Sequence, residues 1–476
     1  MDSPNISKPS RRIGALIAFQ CFILVIVPYS FSWAPPLDVV EGLVWAPHWL
    51  IGTYKHPPLP SWLIEISVLL TQNMILGPYL LSQLCIGLTY WFIYRLGRVL
   101  MDPMRAAAAT VLMAGSYYFT VPTLEFNHNV VQLPLWSAGI LLYAQLRQKP
   151  HSWVLWLGLG ALGGLGLYGK YTFAVLLVVL LAVSLFETQT RALFKTIKPY
   201  CAIALMVVMF SPHLVWLVQH DFEPLTYALE RGATGPTSHP LVFMAAQLAD
   251  HLPIALILAF VGIRSLKNGE AVLAKQDDVT FLRVVTFAPI LLVFSLFILS
   301  GSSAKDMWAM PMFTPLGLWI VMEFRRKWTL SQLDRATQAA MALILLIGVG
   351  FIVQALSPYR DRPSRSNWPM QDISNGLAAL WKERTDHPIA IIGGTPFVAG
   401  LAALGQKSRP DVMIGSDLNH SPWLTEADIQ KKGIAFIFDH DEATPALCGK
   451  RSFKNVIKLK DPLMPELTAI ICPPTH

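Results

Sequence analysis

A polytopic helical membrane protein with a small α/β domain at its C-terminal end is the fold class this sequence predicts, and three observations predict it. Of 476 residues, 54% are hydrophobic and only 14% charged, and the mean hydropathy is +0.47. Apolar runs near the roughly 18 residues of a membrane span recur along the first three quarters of the chain. From Ser357 onward those runs stop, and the remaining chain is rich in Pro, Gly and charge. The division reads 1–356 for a membrane domain and 357–476 for an exterior α/β domain.

Spans are predicted near Gly14–Trp33, Leu76–Ile93, Arg105–Phe119, Val130–Leu146, Val154–Tyr168, Tyr171–Leu185, Tyr200–Val218, Leu241–Ile263, Val284–Leu299, Met307–Met322 and Ala339–Leu356, about eleven in all. An odd number puts the termini on opposite sides, and Lys and Arg should then alternate between successive loops. They do. The N-terminal tail and the loops on its side hold nineteen: Lys8, Arg11, Arg12, Arg95, Arg98, Arg105, Arg147, Lys149, Arg191, Lys195, Lys198, Arg264, Lys267, Lys275, Arg283, Arg325, Arg326, Lys327 and Arg335. The opposite loops hold four: Lys55, Lys170, Arg231 and Lys305. The N-terminus is therefore expected in the cytoplasm and the C-terminal domain outside. The first run is too long for a signal peptide and has no small-residue cleavage site, so it is read as an anchor.

The net charge of +7 is accounted for by these orientation signals. It is not gathered into a stripe with interleaved aromatics, so nucleic acid is not an expected partner. Trp33, Trp45, Trp49, Trp62, Trp216 and Trp308 fall near span ends, as an interfacial belt does. Cys21, Cys85 and Cys201 fall in spans, where a thiol acts as a small apolar side chain. Cys448 and Cys472 fall in the exterior tail, an oxidising compartment where a disulfide between them would persist.

Within that tail, the strand-like PIAIIGG, DVMIG and IAFIFD alternate with the helix-like DISNGLAALWKER, FVAGLAALG and TEADIQKKG. This alternation predicts an α/β unit with a mostly parallel sheet. The Gly393-Gly394 pair lacks the remainder of a phosphate-binding glycine fingerprint.

The loop Pro36–Pro58, PLDVVEGLVWAPHWLIGTYKHPP, places Asp38, Glu41, His48, Lys55 and His56 at a membrane boundary. Charges at such depth are costly and are generally kept for chemistry. Pro57-Pro58 leads into SWLIEISVLL, too short to span. Glu65 and Ser67 give it a polar face, so it is predicted to lie in the membrane interface. Further exterior loops supply Glu125, His128 and Asn129, then Lys170 and Tyr171, then His213, His220 and Arg231, and finally Lys305 and Asp306 before Trp308. The span centres are nearly free of ionisable groups. That favours a site open to one face over a conduction pathway.

Asp38 with Trp45 seven residues on, the Tyr-Lys-His-Pro-Pro segment Tyr54–Pro58, TLEFNHNVVQLPLW, GLGLYGKYT and SPHLVWLVQHDF stand in this order along the chain. Together they resemble the polyprenol-phosphate-sugar-dependent membrane glycosyltransferases of the GT-C class, which include protein O-mannosyltransferases and lipid A aminoarabinose transferases. The resemblance covers roughly residues 14 to 330. It implies a GT-C-like fold in a bacterial inner membrane and a polyprenyl-phosphate-linked sugar as donor. The implied acceptor is an envelope lipid such as lipid A, an oligosaccharide, a glycan or a protein at the outer face of that membrane.

Asp38 matches the family's first-loop aspartate. The match implies a general base that takes the acceptor's hydroxyl proton while the anomeric carbon is attacked opposite the phosphate, with inversion. Glu41 is the neighbouring acidic candidate. A phosphate leaving group needs stabilised charge more than a proton. The expected donor-binding set is Lys55, His56, Asn129, Lys170, Tyr171, His220, Arg231 and Lys305.

Three positions depart from the family pattern: Asp38 is followed by Val39, the order before the paired prolines is Lys55-His56, and Asn129 stands after His128 where an aspartate is usual. With a second carboxylate missing, a divalent metal is left open, His56 and His220 being the candidate ligands. Two other readings stay open: a transporter or flippase of lipid-linked saccharide, and a non-catalytic relative acting as a scaffold.

Overall fold

The computed structural model describes residues 8–234, 240–262, 269–301, 305–357, 363–448 and 451–475. The topology signals Arg264 and Lys267 lie outside them. Helices dominate: α1 (Lys8–Phe31), α2 (Leu37–Trp45), α3 (Leu59–Thr71), α4 (Leu76–Leu100), α5 (Pro103–Leu112), α6 (His128–Gln148), α7 (Trp153–Gly169), α8 (Phe173–Phe186), α9 (Lys198–Gln219), α10 (Glu223–Thr234), α11 (Pro240–Asp250), α12 (Leu252–Val261), α13 (Gln276–Ser300), α14 (Leu316–Phe324) and α15 (Leu330–Leu356). Beyond these come α16 (Met370–Lys382), α17 (Pro396–Leu404) and α18 (Glu426–Lys432) with five strands.

The chain divides into two compact units. The first comprises residues up to Ile26, Ile51–Pro60 and Tyr79–Val349, and the second comprises Val27–Leu50, Ser61–Pro78 and Gly350 onward. This is a division by packing, whereas the one at 356/357 is a division by hydropathy.

Among the described residues, six segments are helical, long and apolar enough to cross a membrane: α1, α4, α9, α11 with α12, α13 and α15. A seventh results if the 3-10 segment Asp306–Phe313 and α14, bent by 55°, form one span. Helices α7 and α8 are apolar but shorter. The run predicted at Arg105–Phe119 is α-helical only as far as Leu112 and then breaks into 3-10 turns. Gly115, Ser116 and Pro122 favour that break.

Carbonyls released by the break need partners in an apolar surrounding, and buried side chains of α1 and α4 supply them. Gln20 donates to the Phe119 carbonyl at 2.7 Å and accepts from the Tyr90 hydroxyl at 3.0 Å. Ser82 donates to the Thr123 carbonyl, and Gln83 donates to the Thr123 hydroxyl at 3.1 Å. This network fixes the 3-10 turns that lead into α6. At the other end of α6, Arg147 bridges Glu187 and Asp278, each at 3.0 Å, tying together the ends of α8 and α13.

In the second unit a five-stranded sheet has the order β2-β1-β3-β5-β4, with β1 Ile391–Gly394, β2 Asp411–Ile414, β3 Ile434–Phe438, β4 Phe453–Ile457 and β5 Leu467–Cys472. Strands β1, β2 and β3 are parallel, as predicted, but β5 and β4 add on antiparallel and were not anticipated. Strand β4 alternates weakly on an edge. Strand β5, wedged between β3 and β4, is buried throughout. At Gly394 (φ 122°) a Cβ would collide with the Ile437 carbonyl of the neighbouring strand. The Gly393-Gly394 pair thus meets a packing demand of the sheet.

Helix α3 buries the side that its polar residues mark. Glu65 and Ser67 are buried, while Ile66, Leu69 and Leu70 form its exposed side. The polar side faces protein because Glu65 is paired with Arg409 at 2.9 Å.

Cys448 and Cys472 are disulfide-bonded, and both lie in the sheet's apolar core with Ile391, Met413, Phe436 and Ile470. Closing a loop of this length stabilises the folded unit by roughly 3 kcal/mol on the chain-entropy account. Cys448→Ser should therefore lower the melting temperature of the second unit. Scanning calorimetry of the reduced and unreduced wild type beside the variant checks this, and reduction should leave the variant's transition unchanged.

Candidate functional site

In the first unit the loop Ile51–Pro58 is shaped by Thr53, whose hydroxyl accepts from the His56 N–H at 3.1 Å and donates to the His56 carbonyl at 3.0 Å. That turn presents Lys55 and His56. Pro57 follows, and its carbonyl accepts from His128 Nε2 at 3.2 Å. The rings of His56 and His128 lie 4.0 Å apart, centroid to centroid. His128 opens α6, whose N-terminus is capped by the Asn127 side chain accepting from the N–H groups of Asn129 and Val130. In the same first turn Asn129 is buried and accepts from Lys170 Nζ. Lys170 sits in the three-residue connection between α7 and α8, with its ammonium 5.8 Å from the Trp308 ring centroid. Lys55 lies over Tyr227 at 5.4 Å and Tyr54 at 5.9 Å, an arrangement in which aromatic faces hold cations.

Next to Lys170, Tyr171 joins a second layer. Its hydroxyl is 2.8 Å from His213 Nε2, and His213 Nδ1 is 2.6 Å from the Ile51 carbonyl. His213 stacks on Trp216 and Trp216 on His220, at 5.6 and 4.2 Å. Gly52 makes this possible, because a Cβ there would overlap the Trp216 indole.

His56 sits beside two lysines. His56 is held well below its ordinary pKa, first by burial and then by its neighbours His128, Lys170 and Lys55. A neutral imidazole among cations marks a positive field, which favours an anionic ligand.

Of the residues singled out from the sequence, Lys55, His56, Asn129, Lys170 and Tyr171 are brought together here, and His220 ends the aromatic stack. Lys305 is exposed and immediately precedes the 3-10 segment that carries Trp308; its carbonyl accepts from the Trp308 N–H at 3.0 Å. Arg231 is in α10, with its side chain outside the described residues. Asp38 and Glu41 belong to the second unit, on α2, where Asp38 is exposed in the first turn and Glu41 is half-buried. A carboxylate in that turn is favoured by the helix dipole whatever else it does. Among the described residues no group of three or more His, Cys, Asp or Glu side chains is placed to hold a metal. Sequence reasoning met Tyr54 only as the start of a motif and missed Tyr227. Tyr227 lies one helical turn after Glu223 in an amphipathic helix, and that spacing was the only available signal.

Comparison with known proteins places the chain among membrane glycosyltransferases. Residues 55–216 match the family described as dolichyl-phosphate-mannose-protein mannosyltransferase, a stretch that runs from Lys55 to Trp216. The chain is 25% identical over 429 residues to the lipopolysaccharide core galacturonosyltransferase RgtB of Rhizobium johnstonii, covering 83% of this chain and 82% of that one. It is 28% identical over 229 residues to the undecaprenyl phosphate-alpha-4-amino-4-deoxy-L-arabinose arabinosyl transferase 1 of Pseudomonas fluorescens, covering 44% and 39%. Its fold is similar to that of ArnT from Cupriavidus metallidurans in the crystal structure bound to undecaprenyl phosphate, with a TM-score of 0.61, 12% identity and coverage of 96% and 97%. The fold is thus of the ArnT, GT-C type. The chain is a membrane glycosyltransferase.

Two outcomes follow from the geometry. Gly52→Ala should displace the Trp216 stack at an overpacking cost of about 1–3 kcal/mol, seen as a lower melting temperature in detergent. For His56 the folded pKa is depressed, so below the ordinary value of 6.5 the unfolded chain binds a proton that the folded chain refuses. Its contribution to stability is constant above pH 6.5 and falls below it, by at most about 1.4 kcal/mol per pH unit. Melting curves between pH 7.5 and 5.5 should therefore show a smaller acid loss for His56→Gln than for wild type.

Proposed function

We propose that this glycosyltransferase takes a sugar from a polyprenyl-phosphate carrier and attaches it to an envelope acceptor at the outer face of the bacterial inner membrane. In this reading the N-terminus is cytoplasmic and the domain at 357–476 is exterior. The observation that supports it most is the placing of Lys55 and Lys170 around the neutral imidazoles of His56 and His128, a setting suited to a phosphate. In the same reading Lys305 and Arg231 complete the clamp on the carrier phosphate.

The acceptor hydroxyl attacks the anomeric carbon, the bond from that carbon to the phosphate oxygen breaks, and its electron pair leaves with the polyprenyl phosphate. Asp38 receives the hydroxyl proton, and the configuration inverts. Glu41 is the second carboxylate on the same helix. The extended likeness to a lipopolysaccharide core galacturonosyltransferase favours a uronic acid as the sugar and a lipopolysaccharide as the acceptor.

Asp38→Asn should reduce transfer by roughly 10²–10⁴-fold with donor binding nearly unchanged, whereas Lys55→Ala should raise the donor KM as well as lower turnover. Steady-state kinetics of purified, well-folded variants with polyprenyl-phosphate sugar distinguish the two. Asp38→Asn protein working at near wild-type rate would refute the base. Mass spectrometry of envelope lipids with and without the intact gene should show one uronate lost from lipopolysaccharide, and loss of an aminopentose instead would reassign the sugar.

A further inference from the structure

Arg409 lies in the turn between α17 and β2 with a left-handed backbone, φ 47°. A residue with a Cβ keeps that conformation only where its surroundings impose it. Here three acceptors do so. Nη1 and Nη2 donate to the two carboxylate oxygens of Glu65 at 3.0 and 2.9 Å, and Nη2 also donates to the Leu43 carbonyl at 2.8 Å. Glu65 is 7% exposed, so the pair is a two-pronged charged contact largely removed from solvent.

The Leu43 carbonyl has a specific need of that donor. In a continuing helix it would accept from the N–H of residue 47, and residue 47 is a proline. Arg409 supplies the hydrogen that Pro47 lacks. The same end of α2 is held a second time: His48 stacks on Trp423 with centroids 4.3 Å apart and an interplanar angle of 8°, and lies 3.7 Å from Asp411. Helix α17 packs along α2. Every one of these residues belongs to the second unit, and so does Asp38 at the opposite end of α2.

We infer that Arg409 is a positioning residue for sugar transfer: acting through the Leu43 carbonyl and Glu65, it fixes α2, and hence Asp38, on the C-terminal sheet domain. The role rests on the reading of Asp38 as the base. The sheet domain is then part of the working enzyme, because a displacement of about 1 Å in a reacting group costs on the order of 10²-fold in rate.

The test uses the full chain in detergent, with wild type, Arg409→Met, Arg409→Lys, Glu65→Gln and Asp38→Asn. Arg409→Met should speed amide hydrogen exchange across 37–46 at least tenfold while β1, β3 and β5 exchange as in wild type. It should lower kcat ten- to a hundredfold with the donor KM within twofold. Arg409→Lys, which keeps the charge but loses the fork, should recover part of both losses. Folded Arg409→Met with wild-type exchange across 37–46, or with kcat within twofold of wild type, overturns the inference. If Arg409→Met does not fold, Glu65→Gln carries the same two readouts. Asp38→Asn should lose activity with unchanged exchange in α2. If it is active instead, the base reading fails, and exchange alone then decides whether Arg409 positions the helix.

Discussion

His213 is fully buried, and a buried imidazole has two nitrogens to satisfy. A carbonyl can only accept, so the contact with Ile51 puts the proton on Nδ1 and leaves Nε2 to accept from the Tyr171 hydroxyl. One side chain on α9 thereby fixes where two other segments run. The first begins at Ile51 and carries Lys55 and His56, and the second is the connection that carries Lys170. The Lys55 and Lys170 ammonium groups repel one another, and the segments that carry them are both anchored to a neutral hydrogen-bonded relay. The Trp216 stack and the absence of a side chain at Gly52 let the loop settle onto that relay.

The consequence is a site that gathers two ammonium groups around buried imidazoles. Lys55 rests on two tyrosine faces, Lys170 on Trp308 and Asn129, and His56 stays neutral.

Much of this was legible in the sequence, and the losses have physical causes. The motifs holding Lys55, His56, Asn129, Lys170 and Tyr171 could be read because charge beside apolar runs is conspicuous. His213 could be seen but its role could not, since a relay through a backbone carbonyl leaves no mark in composition. Strands β1, β2 and β3 read as short apolar runs between helices. Strand β4, FKNVI, was missed because its lysine and asparagine sit on an exposed edge. Glu65 reads from the sequence only as part of a polar helix face, because its partner, Arg409, lies 344 positions away. The early helix break in the run predicted at Arg105–Phe119 was hidden for a similar reason: Gln20 and Ser82, distant in sequence, make it tolerable by satisfying carbonyls.

Helix α2 shows how such distant partners shape local structure. It has nine residues, follows Pro36 without a side-chain cap, and ends two residues before Pro47. A helix that short is not stable by itself in water. What stabilises it is the apolar side of Val39, Val40, Leu43 and Val44, all buried, together with the hydrogen bond from Arg409. Both depend on the sheet domain being folded, and that domain is closed by the Cys448–Cys472 disulfide. The conformation of the helix bearing Asp38 is thus inherited from residues at the far end of the chain. A chain shortened before β5 would keep every motif of the membrane domain and still lose the scaffold on which its first acidic candidate stands.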